Sequence, residues 1–139
     1  MSEIKVDNLT GKTSGGNITV TDGSVTMKLQ DGLAMVWFHL EGDVTTATIR
    51  QGLNTSSVVD NGTGDYTVNF TNSFASNDNT LTTDAGFTQS VGGPYLVSSY
   101  YFTSQTTNRR MRSSSYSNIN SGTLTDCEQI GGSMFGDLA

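Results

Sequence analysis

Ser57-Val58-Val59-Asp60-Asn61-Gly62-Thr63-Gly64-Asp65-Tyr66-Thr67-Val68-Asn69-Phe70 is the stretch that decides the fold. Two runs of strand-forming residues are separated by Asn61-Gly62, a pair that supplies the positive φ angles of a tight turn, so a β-hairpin is predicted. In its second arm Tyr66, Val68 and Phe70 alternate with polar residues. Side chains two apart share one face of a strand, so these three point into a core and the sheet is antiparallel with one wet face.

The same reading extends outward. Leu33 to Glu41 is the most apolar run, with Ala34, Val36, Phe38 and Leu40 on one face and Met35, Trp37 and His39 on the other. Both faces of this strand therefore call for cover. Asp31-Gly32 and Gly42-Asp43 bracket it as turns, and Val44 to Leu53 continues as a Thr-rich strand carrying Val44, Ala47 and Ile49. Thr71 to Gly93 reads as a long polar loop with one short strand. Pro94 to Phe102, Arg109 to Tyr116 and a last segment ending near Phe135 are further strands. No apolar i, i+3, i+4, i+7 pattern persists for three turns, so helix is nearly absent. The expected fold is all-β: an antiparallel, jelly-roll-like β-sandwich over residues 31–139. Residues 1–30 hold short apolar pairs (Ile4 and Val6, Ile18 and Val20, then Val25, Met27 and Leu29) too small to bury much alone, and form a short-strand attachment segment.

Composition limits what such a fold can do. Only 34% of the 139 residues are hydrophobic, so the core is thin, and the single Cys127 cannot pair within the chain. Packing against copies of the same chain is the remaining way to complete it, with Met35, Trp37, Phe38 and His39 as the expected subunit interface. A net charge of −6 opposes nucleic acid and anionic membrane as partners. There is no apolar run of membrane-spanning length, and Met1-Ser2-Glu3-Ile4-Lys5 lacks signal-peptide character, so synthesis in a cytoplasm is expected.

Motifs that carry chemistry are weak. Gly11-Lys12-Thr13 lacks the earlier glycine of a phosphate-binding loop, where Val6 stands. His39 is the only histidine and has no flanking nucleophile motif. Asp126 and Glu128 beside Cys127 disfavour a thiolate. Asp60 with Asp65, or Glu41 with Asp43, could form the carboxylate pair of a glycan-degrading enzyme, but these are ordinary turn residues. Asp78, Asp84, Asn77 and Asn79 lack the spacing of a calcium loop. No cofactor, metal or catalytic residue is expected.

Tyr95, Tyr100, Tyr101 and Tyr116 with Arg109, Arg110 and Arg112 form the one aromatic and basic concentration, a composition suited to contact with a glycan or protein partner. Alternation places Tyr95 and Tyr101 on one face and Tyr100 and Phe102 on the other, so the tyrosines do not all share an exposed surface.

Three stretches carry a resemblance. Ile49-Arg50-Gln51-Gly52-Leu53-Asn54, leading into Ser57 to Thr71, resembles tail-fibre-like structural proteins of marine bacteriophages, the cyanophages and similar phages. Ile4 to Thr13 is similar to a short N-terminal repeat of such proteins, and Met134-Phe135-Gly136-Asp137-Leu138 to their C-terminal strand; Phe74 to Cys127 has no counterpart. The resemblance implies a virion component, usually a homotrimer, attached to another virion protein through its N-terminal segment and projecting the sandwich toward a host-surface glycan or receptor. Fibre proteins of this kind are often longer, which leaves a capsid decoration protein or short head fibre as the alternative.

Overall fold

A computed structural model of the chain describes residues 18–22, 24–43, 45–86, 95–99, 105–115 and 124–139. Ten strands are present among them: β1 (Thr19–Asp22), β2 (Val25–Lys28), β3 (Val36–Glu41), β4 (Thr48–Leu53), β5 (Thr55–Gly62), β6 (Asp65–Phe70), β7 (Thr80–Gly86), β8 (Tyr95–Ser99), β9 (Asn108–Ser115) and β10 (Gln129–Phe135). A single 3-10 turn, Leu29–Gly32, joins β2 to the loop before β3.

The chain is an all-β sandwich. One sheet has the order β4-β3-β10-β7 and the other β5-β6-β9-β8, with every pairing antiparallel. The count of eight strands in two sheets is that of a jelly roll, whereas the winding keeps β3–β4, β5–β6 and β8–β9 as neighbours within one sheet. β1 and β2 form a separate hairpin, with Val20 and Val25 exposed, inside the segment read as an attachment piece. Its one ion pair to the sandwich among the described residues joins Lys28 to Asp137.

The core follows the alternation in the sequence. Val36, Phe38 and Leu40 from β3 and Ile130 and Met134 from β10 face Tyr66, Val68 and Phe70 from β6 and Met111 from β9. Each such side chain contributes about 1.5–3 kcal/mol by leaving water. Phe74, in the connection after β6, closes one end with its ring edge-on to Phe70 at 5.5 Å. Two glycines permit this packing. A Cβ on Gly132 would lie 2.3 Å from the Phe38 ring, and one on Gly42 would lie 2.8 Å from the Tyr66 hydroxyl.

Several expectations are corrected. Positive φ in the β5–β6 turn falls on Gly62 and Gly64, not Asn61, because the tightest residues are Thr63 and Gly64 and a bulge sits between Asp60 and Gly62. Val44 is outside the described residues and Ala47 lies buried in the loop before β4, so that strand begins only at Thr48. Thr71 to Gly93, read as a long polar loop with one short strand, holds a strand of seven residues, Thr80–Gly86, paired along its length with β10. β4 passes directly into β5 at Asn54, whose φ of 56° turns the chain from one sheet to the other.

Candidate functional site

The outer face of the first sheet holds the most distinctive surface. On β3, Val36, Phe38 and Leu40 take the inner face, so Trp37, His39 and Glu41 point outward. Register then sets their neighbours. Trp37 lies opposite Leu53 on one side and Ser133 on the other, with Thr82 beyond. His39 lies opposite Gln51 and Gly131, with Asp84 beyond. Gly131 has no side chain, so a trench of about 450 Å³ opens across β3, β10 and β7, lined by Trp37, Ser133, Gly131, Thr82 and Asp84. The Trp37 side chain forms its wall and is 38% exposed. Thr82 Oγ1 donates to the Ser133 carbonyl at 3.3 Å, which fixes that hydroxyl on the opposite bank.

Beside the trench, at the end of the sandwich where β3 begins, Ala34, Met35, Leu53 and Leu138 line an apolar depression of about 390 Å³. Leu33, Leu53 and Leu138 are 51%, 49% and 39% exposed.

The outer face of the second sheet is different. Asp65 is almost fully buried there and accepts hydrogen bonds from Arg110 Nε at 2.6 Å, Arg110 Nη2 at 2.8 Å and Arg112 Nε at 2.8 Å. Burial opposes charge on this carboxyl, but the hydrogen bonds and charges of both arginines outweigh it and hold its pKa below the ordinary 3.8. Arg110 and Arg112 are therefore parts of an ion cluster within the subunit, whatever else they touch.

Arg109 corrects the expected basic surface. It alternates with them onto the inner side, is 7% exposed, and bonds the Asn79 side chain and carbonyl. Phe38 corrects the expected interface in the same way: at 2% exposure it is spent in its own core, leaving Met35, Trp37 and His39 at or near the outer surface. Tyr95 opens β8 opposite Ser115, while Tyr100, Tyr101 and Tyr116 lie outside the described residues, as does Gly11-Lys12-Thr13.

Three of the carboxylates weighed for catalysis, Asp60, Asp65 and Glu41, have structural partners. Asp60 accepts from the Ala47 and Gly62 amides at 3.2 and 3.0 Å. Glu41 pairs with Arg50, which lowers its pKa. Asp126 Oδ1 accepts from the Gly64 amide at 2.6 Å and from the Tyr66 hydroxyl at 2.8 Å. Burial raises the Cys127 thiol pKa. Among the described residues no group of three or more His, Cys, Asp or Glu side chains is placed to hold a metal ion.

Sequence reasoning missed Thr82 and Gly131 and weighed Asp84 only as a calcium ligand. The signal was present in the Thr80-Leu81-Thr82 alternation and in a Gly131-Gly132 pair in mid-strand.

Fold and surface together define an antiparallel β-sandwich with an aromatic-walled trench on one sheet and an apolar patch at one end. Comparison with protein-family models, curated proteins and solved structures returns no match.

Proposed function

We propose that the chain is a non-enzymatic structural subunit of a phage virion, a tail-fibre-like or adhesin-like piece that works as a homotrimer. The observation that carries the reading is the end patch of Leu53 and Leu138 around Met35, large aliphatic side chains left in water at one place on a small domain. A thin core and an exposed apolar patch have a common remedy in contact between copies, as in fibre proteins, which the sequence resembles. The β1–β2 hairpin, with Val20 and Val25 facing water, suits attachment to another virion protein. Asp60, Asp65 and Asp126 have structural bonds, which favours a scaffold over a hydrolase.

Light scattering on the eluting full chain tests this. A mass near three times 14.8 kDa is expected, falling to one subunit in the Leu53→Lys, Leu138→Lys double variant with unchanged circular dichroism. A wild-type chain that stays single at tens of micromolar overturns the reading. Immunogold labelling of particles then separates a fibre position from a capsid decoration.

A further inference from the structure

Gly131 is the one trench residue whose identity the fold does not explain. Glycine inside a strand costs about 0.5–1 kcal/mol relative to alanine, so it marks a turn, a close packing contact or the approach of something else. Its neighbour Gly132 has a packing reason in the Phe38 ring at 2.3 Å from the Cβ it lacks. For Gly131 the nearest atom to such a Cβ is the Asp84 Cβ at 3.9 Å, ordinary contact distance, and a side chain would fit. What it would fill is the trench floor between Trp37 and Asp84.

We infer that this trench binds a neutral pyranose ring of a surface glycan, with the ring laid over Gly131 against the Trp37 indole and its hydroxyls held by Asp84. A sugar ring has an apolar face of C–H groups and a rim of hydroxyls, and the trench has both complements. Trp37 supplies an exposed aromatic wall, and the Asp84 carboxylate, exposed and with no hydrogen bond or ion pair among the described residues, accepts from hydroxyls. Ser133 and Thr82 add polar banks. Charge selects further: the lining holds one carboxylate and no cation, which disfavours sialylated, sulfated or uronic glycans. The tyrosine and arginine cluster is thereby relieved of the glycan role, which passes to the opposite sheet.

This deepens the adhesin-like reading by naming a ligand class, but its test does not depend on assembly. Trp37 is the only tryptophan, so its fluorescence reports the trench alone. Maltohexaose, cellohexaose, mannohexaose and hexagalacturonate are each titrated into the full-length chain. At least one neutral hexaose should shift the emission saturably, hexagalacturonate should not, and Gly131→Val and Asp84→Ala should each weaken binding about tenfold or more. Both variants keep Trp37 and should melt at or slightly above the wild-type temperature. No saturable change with any neutral hexaose overturns the inference, as does undiminished binding by Gly131→Val or preference for hexagalacturonate. Binding by a chain that remains monomeric would sustain the trench and remove the trimer.

Discussion

The Tyr66 phenol donates to Asp126 Oδ1 at 2.8 Å across 60 residues of chain, and its hydroxyl also lies 2.8 Å from the Gly42 carbonyl. With the Gly64 amide bonded to the same Asp126 oxygen, one polar knot, buried at its Tyr66 and Gly42 end, ties the start of β6 to the approach of β10 and the end of β3. Removing the hydroxyl in Tyr66→Phe leaves the buried Gly42 carbonyl short of a donor. The expected loss is about 1–3 kcal/mol in urea unfolding, with an unchanged slope.

Asp65 makes stability depend on acid. Its pKa is 3.8 when unfolded and lower when folded, so its contribution is present in full above that value and fades as pH falls through the folded one. Asp65→Asn should therefore lower the melting temperature at about pH 7 and converge with wild type at about pH 2. Calorimetry across that range checks it, and a constant difference would contradict it.

Gly132 and Gly131 should respond differently to an added side chain. Gly132→Ala drives a methyl into the Phe38 ring, at a cost of about 1–3 kcal/mol that Phe38→Leu partly relieves in the double variant. Gly131→Val, on the outer face, should leave stability unchanged or slightly raised. Thermal melts of the set decide it.

How far the sequence could be read follows from the strength of alternation. Tyr66, Val68 and Phe70 were legible because apolar and polar residues strictly alternate, and Val36, Phe38 and Leu40 for the same reason. That rule also separates Phe38 from Trp37 and Arg109 from Arg110 and Arg112; grouping these by proximity in sequence mixed inner with outer residues. β7 was only faintly legible, because its alternation amounts to Leu81 between Thr80 and Thr82 while Thr83 takes an inner position, and pairing with β10 reveals its full length. The trench needed three strands in register, which no single segment encodes.

Asn54 should tolerate little. Its φ of 56° is one that branched side chains resist, and its Oδ1 accepts from the Asn72 amide at 2.7 Å while its Nδ2 donates to the Asn72 carbonyl at 3.1 Å. Asn54→Gly keeps the backbone angle and loses the bonds, for about 1 kcal/mol; Asn54→Val loses both and should cost about 2–4 kcal/mol. Equal effects in urea titrations would show the angle to be unimportant.

Cys127 should be slow to react. It is fully buried and its thiol pKa is raised, so alkylation by iodoacetamide at about pH 8 should await unfolding and proceed readily in guanidinium. Fast modification of the native chain would contradict the buried placement.

A single residue, Asn54, separates the last position of one sheet's edge from the first of the other's. The sandwich is thus bound along one side like the spine of a book, by covalent chain rather than by packing. The far side, where β7 and β8 form the edges, is closed by the packing of those two strands on one another. A force that parts the two leaves would meet the chain itself on one side and the packing of two strands on the other.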